Sequence, residues 1–226
     1  MIPGYRVCLA LLAVAALLLA GCGGSGGGGD STSATTATSA AAGSRGPQLG
    51  PPFGSMAALP GVLKTTPPWP ANNGKELQLR LRAIGLDPLR QEGQVVHIHQ
   101  HLDLYAADTR VTVPAQVGID AGGGFISDLH THDTSGIMHV ESPTQRTFTL
   151  GQFFAVWGVQ LSPSCIGGLC KAGDKRLRIW VNGQPVTADP TRIVLEEHQE
   201  IVLAYGTQAQ TPKPVPASFD FGAVGL

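Results

Sequence analysis

Charge is scarce in this chain: Asp, Glu, Lys and Arg make up 14% of its 226 residues, and the formal net charge is −1. No run of lysine or arginine occurs, so the electrostatic footprint of a nucleic-acid-binding surface is missing and no nucleic-acid partner is expected. Methionine is nearly absent. Of three in the chain, Met1 and Met56 fall outside the expected domain, which argues against the soft thioether cluster that selects Cu(I). The apolar run at residues 7–20 is too short for a comfortable helical span of a bilayer. Catalytic signatures such as G-x-S-x-G and H-E-x-x-H are missing as well, so no known catalytic motif points to an enzyme.

What is present begins at the N-terminus. Arg6 is followed by the apolar run, which ends in Leu19-Ala20-Gly21-Cys22. A positive charge, a short apolar core and small residues at its end predict a signal peptide over residues 1–21. Leu-Ala-Gly-Cys resembles the lipobox of bacterial lipoproteins. The resemblance implies that Cys22 carries a diacylglyceryl thioether and becomes the mature N-terminus. The membrane is then a partner through that lipid, and the protein lies on the extracytoplasmic face of the cell membrane. More than one acyl chain gives stable anchoring where a single chain holds only marginally.

Behind Cys22 come a glycine run, a Ser/Thr/Ala tract and a proline-studded stretch from 47 to 70. Such composition offers little apolar surface to offset the entropy of ordering, so residues 22–71 are expected to form a flexible low-complexity tether. The folded β-domain is expected at 72–206, with a C-terminal tail at 207–226. Of four cysteines, Cys165 and Cys170 remain in this domain. An oxidising compartment favours a disulfide between them, with thiolate ligation or redox chemistry as alternatives; C-x4-C is not the C-x-x-C of a thioredoxin-like site.

Within the domain, Asn73 followed three residues later by Glu76, with Leu77, Leu81 and Ile84 before Gly85, reads as an N-capped short helix, although the same residues also alternate as in a strand. Residues 94–105 alternate clearly: Val96, Ile98, Leu102 and Leu104 on one face, His97, His99, His101 and Asp103 on the other. Residues 110–114 and 117–119 read as further strands. Residues 128–141 read as a hairpin turning at 133–136, which sets His132 opposite Ile137, His130 opposite His139 and Asp128 opposite Glu141. Thr149 caps a helix over Leu150–Trp157 closed by Gly158. Arg176–Val181, an Asn182-Gly183 turn and a last strand at 200–205 complete a mainly β fold with one or two short helices. An antiparallel sandwich or barrel-like domain is expected, an α+β grasp-like arrangement being the alternative.

Six of the seven histidines, His97, His99, His101, His130, His132 and His139, fall in the two alternating stretches. Neutral imidazole ligates Zn, Cu, Ni and Fe, and this many rings exceed the needs of one mononuclear site, so either some are outer partners or two metals bind. Asp103, Asp128, Asp133 and Glu141 are candidates to orient the rings or to ligate directly. A metal-free hydrogen-bond network and a proton-sensing switch are the competing readings. His198 reads as a loop residue rather than a ligand.

The segments HxHxHLD, LHTHDTSGIMHVESP and FTLGQFFAVWG resemble a family of extracytoplasmic bacterial and archaeal proteins of uncharacterised role, over about residues 92 to 206. That family supplies no activity to carry over. The function expected is that of a membrane-anchored extracytoplasmic protein holding or passing a Zn or Cu ion, with a protein partner in the envelope. A metal-dependent enzyme and a non-metal binding or assembly module are the alternatives.

Overall fold

A computed structural model of the chain describes residues 46–226. The expected signal peptide, Cys22 and the first part of the tether lie outside the described residues. Strand dominates over helix, and the fold is mainly β. The elements in order are α1 (Lys75–Ala83), β1 (Val96–Ala106), β2 (Thr109–Val111), β3 (Ile119–Asp120), β4 (Phe125–Ile126), β5 (Leu129–His130), β6 (Ile137–Ser142), α2 (Leu150–Trp157), β7 (Cys165–Ile166), β8 (Leu169–Cys170), β9 (Arg176–Val181), β10 (Gln184–Val186) and β11 (Gln199–Gly206), with three short 3₁₀ turns.

The main sheet runs β10-β9-β11-β1-β6-β5, with β2 also paired to β1. It is open at β10 and β5, which excludes a barrel. All its pairings are antiparallel except β1 with β11, which is parallel. The sequence cannot announce this. Parallel neighbours need a long crossover, and here the whole stretch between β1 and β11 supplies it.

One face of the sheet is apolar. Leu102 and Leu104 of β1, Met138 and Val140 of β6, Ile201 and Leu203 of β11 and Ile179 of β9 join one core with Leu77 and Leu81 of α1 and Phe153, Phe154 and Trp157 of α2. Helix α2 begins with a capping box, in which Thr149 N donates to Gln152 Oε1 at 3.0 Å and Gln152 N to Thr149 Oγ1 at 3.4 Å. It ends on Gly158 in the left-handed region. Arg80, fully buried, donates to Ala155 O at 2.8 Å and Val156 O at 3.1 Å, placing a cation where the helix leaves carbonyls unpaired. Burial pulls its pKa down to about 10 against the opposing pull of Glu76.

Several expectations need correction. The packed region is wider than 72–206. In the stretch read as tether, Met56 and Trp69 are buried, Val194 N donates to Gln48 O, and Trp157 Nε1 donates to Pro70 O at 3.0 Å. In the stretch read as tail, Phe221 is buried. Proline-rich composition hid the apolar side chains interspersed in it, which suffice to dock an extended chain. The first helix is not capped by Asn73; its N-cap is Gly74, and Asn73 instead ties the helix start to the 116–119 turn through Gln116 O, Ile119 O and Gly118 N. The strand expected at 110–114 is Thr109–Val111, and residues 115–118 form a turn with positive φ at Gln116 and Gly118. The 128–141 hairpin pairs only at Leu129–His130, because residues 131–136 form a wider loop than a tight turn. Cys165 and Cys170 face each other across the β7–β8 hairpin, joined by a disulfide.

Candidate metal centre

The face of β1 opposite the helices carries His97, His99, His101 and Asp103, and register decides what each one meets. His99 lies opposite His139, and His139 lies opposite His130, so one row of imidazoles crosses β1, β6 and β5. His97 lies opposite Glu141, while His101 lies opposite Glu200 of the parallel neighbour. Directly opposed side chains on one face are in contact range. The ring centroids confirm it, with His99 to His139 at 4.7 Å, His139 to His130 stacked at 5.2 Å and His97 to His99 at 5.0 Å.

His132 joins this belt from the loop, not from a strand. Its ring lies 4.5 Å from that of His139 and 4.8 Å from that of His130. The loop is held by its own side chains: Ser135 N donates to Asp133 Oδ1 at 2.8 Å, and Ile137 N donates to Ser135 Oγ at 3.2 Å. Gly136 has φ of 98°, and a Cβ there would fall 2.9 Å from His101 Nε2.

The ring of His130 is aimed by its surroundings. Its Nδ1 lies 3.0 Å from the carbonyl of Ser127, an acceptor, so that nitrogen carries the hydrogen and Nε2 presents a lone pair. Nε2 faces His132 Nε2 at 3.3 Å, Glu141 Oε1 at 3.8 Å and Glu92 Oε1 at 4.0 Å; Glu92 Oε1 lies 3.5 Å from His132 Nε2. Metal–nitrogen bonds of about 2.0–2.1 Å in a tetrahedral shell put neighbouring ligand atoms about 3.3–3.4 Å apart. The His130–His132 separation has that value, so these two nitrogens could hold an ion together.

Burial dominates the electrostatics. It pulls the His130 pKa down to about 4, with His139 and His132 adding to the effect and Glu141 opposing it. For His99 the same cause, followed by the nearby His139 and His97, also gives about 4. Both rings are therefore neutral at physiological pH, the form that ligates. Burial works against ionisation of Glu141, but the His139 hydrogen bond, at 3.1 Å, and the neighbouring His130 and His97 hold its carboxyl below the usual range. Two buried polar atoms in the belt have no partner, His99 Nε2 and Glu141 Oε2. Each such orphan costs about 1–3 kcal/mol in a metal-free protein.

Among the described residues, three groups bring ligand atoms close enough to hold a metal ion: His130, His132, His139 and Glu141; His97, His99 and Glu141; and His101, Asp103 and Glu200. The third differs in kind. His101 Nδ1 lies 2.7 Å from Glu200 Oε2 and its Nε2 lies 3.0 Å from Ser135 O, so both ring nitrogens already face acceptors. Phe219 stacks on the ring at 4.1 Å, and Asp103 Oδ1 contacts Arg110 Nη2 at 2.5 Å outside hydrogen-bond geometry. Burial raises the Glu200 pKa, with the His101 hydrogen bond opposing.

The sequence candidates thus divide. His97, His99, His130, His132, His139 and Glu141 come together, and His101 with Asp103 forms the separate triad. Asp128 belongs to neither; burial raises its pKa, partly offset by the Ser142 hydroxyl. Pairing stops at Leu129, so the expected Asp128–Glu141 match survives only as a backbone bond from Glu141 N to Asp128 O. Asp133 is exposed and builds the loop. Sequence reasoning missed Glu92, Glu197 and Glu200. Glu92 is brought in by Gly93, where a Cβ would lie 2.0 Å from the Ser142 backbone. Glu197 Oε1 sits 3.9 Å from His99 Nδ1 and 2.9 Å from the Nε2 of His198, a turn residue as expected. Only Glu200 left a signal, its place in a strand, and that gave no partner.

A cleft of about 530 Å³ bordered by Phe53, Ile84, Arg146 and Gln152 has none of these histidines in its wall. Among the described residues no helix is long and apolar enough to cross a membrane. No protein-family model, curated protein or solved structure matches the chain.

Proposed function

We propose that this protein is a membrane-anchored, extracytoplasmic lipoprotein that binds Zn(II) or Cu(II) and holds the ion or passes it on. The convergence of His130 Nε2 and His132 Nε2, 3.3 Å apart beside the Glu141 carboxylate, carries the metal half of this reading. Imidazole and carboxylate donors favour these borderline ions over Cu(I), and both cysteines of the domain are tied up with each other. Access supports a carrier: the His97 and His132 side chains are 45% and 44% exposed, while those of His99 and His130 are buried behind them. An ion enters or leaves through the outer rings, and an envelope protein partner would exchange it there. The anchoring half rests on the lipobox resemblance at Cys22.

Elemental analysis of the purified full-length protein in detergent tests the first half. Zn or Cu retained in stoichiometric amount, and reduced in a His130→Ala/His132→Ala variant that still folds, is the expected result. Wild-type protein that retains no metal after exposure to either ion overturns it. For the second half, Cys22→Ser should release the protein from the membrane fraction; unchanged fractionation and an unmodified Cys22 by mass spectrometry would refute anchoring.

A further inference from the structure

We infer that the belt is a dinuclear centre: one ion is held by His130, His132 and His139, a second by His97 and His99, and the carboxylate of Glu141 lies between them as the shared ligand. This rests on the metal-binding reading and goes beyond it in nuclearity and in ligand assignment. Glu141 is the one residue common to both groups of converging ligand atoms. Its Oε1 lies 3.4 Å from His97 Nε2, 3.8 Å from His130 Nε2 and 3.1 Å from His139 Nδ1, so the carboxylate touches both sets at once.

A single four-coordinate ion leaves this structure unfinished. His130, His132, His139 and one oxygen of Glu141 complete its shell. His99 Nε2 and Glu141 Oε2 then remain buried without partners. Both orphans lie on residues of the His97, His99 and Glu141 group, the second place where ligand atoms converge.

The surrounding charge has a matching layout. Two divalent ions side by side repel, and five neutral imidazoles do nothing to offset that. Three carboxylates do: Glu141 in the middle, Glu92 beside His132 at one end, and Glu197 beside His99 at the other. The flanking pair is 43% and 42% exposed, able to swing toward an ion. The His101 triad also holds unpartnered buried carboxylate oxygens, Asp103 Oδ1 and Glu200 Oε1, but both nitrogens of its single imidazole are engaged.

The test is metal stoichiometry with a magnetic readout on the full-length protein in detergent. Zn(II) titration followed by elemental analysis after gel filtration should give two equivalents per chain. With two equivalents of Cu(II), the ordinary mononuclear electron paramagnetic resonance signal should fall well below the intensity of two isolated ions. His97→Ala/His99→Ala should retain one equivalent with a full mononuclear signal, and His130→Ala/His132→Ala likewise. Glu141→Gln should abolish the magnetic coupling and weaken the second equivalent at least tenfold. Because His97 is half-exposed, His97→Ala alone serves if the double variant does not fold, with the second equivalent again weakened at least tenfold. One equivalent in the wild type overturns the dinuclear assignment and leaves the metal-binding reading standing. No equivalents overturn both. Two equivalents that persist unchanged in the His97 variants place the second ion elsewhere and refute the assignment.

Discussion

His99 and His101 sit two residues apart on the same face of the same strand, yet they live in opposite chemical situations. His99 faces His139 and keeps a buried ring nitrogen without a partner. His101 faces Glu200, and both of its nitrogens are engaged. The backbone alternation is identical at the two positions; the neighbouring strands differ. On one side β6 and β5 present imidazoles, and on the other β11 presents a buried carboxylate. A repeated motif therefore need not mean a repeated role. Within H-x-H-x-H, two rings join a group that could hold an ion and the third is closed into the fold.

The sharpest way to break this comparison is to truncate each histidine. His101→Ala leaves Glu200 buried without its partner and should destabilise the protein by about 3 kcal/mol, the low end for a broken buried pair because Glu200 can take up a proton. Denaturant unfolding measures this, and metal affinity should change less than about twofold; a large loss of affinity would place His101 in the metal centre.

Acid should act on the belt of imidazoles. His130 has a folded pKa of about 4 against an ordinary value of 6.5. Above pH 6.5 neither folded nor unfolded chain protonates it, so its contribution is neutral. As pH falls below 6.5 the unfolded chain binds a proton first, and stability declines until the folded form protonates near pH 4, by at most about 3 kcal/mol. His99 acts in the same direction. Unfolding of the metal-free protein between pH 7 and 4 should show this decline, and His130→Gln should reduce it; a flat profile would contradict the buried neutral rings.

Glu92→Gln should weaken metal binding by about tenfold with little change in stability, since the carboxylate is partly exposed beside His132. Isothermal titration with Zn(II) decides it, and an unchanged affinity would remove Glu92 from the centre. The smallest effect expected is for His99→Leu. In the metal-free protein it replaces an unpartnered buried nitrogen by an apolar group, so stability should stay the same or rise by up to about 1 kcal/mol while metal content falls. A marked loss of stability would mean that His99 is held by the fold as firmly as His101.

Much of the fold was legible because periodicity is local. The β1 alternation, the capping residue and closing glycine of α2, and the Asn182-Gly183 turn all appear at their expected positions. The candidate site was legible in part. Constant summed numbers across a hairpin place His130 opposite His139, as observed. The same rule misplaces His132, because the loop built by Asp133 and Ser135 ends the pairing early. The docking of residues 46–71 was not legible, since it depends on isolated side chains such as Met56 and Trp69 finding a distant core.

By itself the sequence determined which side chains share a face of each strand, because the two-residue repeat of extended backbone needs no knowledge of the rest of the chain. It also determined that histidines are concentrated on one such face, beside a hydrophobic one. Only the tertiary structure decided which neighbour each histidine meets. That depends on strand order and register, set by pairings across nearly a hundred residues in the case of β1 and β11. The physical reason is that side-chain direction is a property of a few consecutive torsions, whereas partnership is a property of the packed whole.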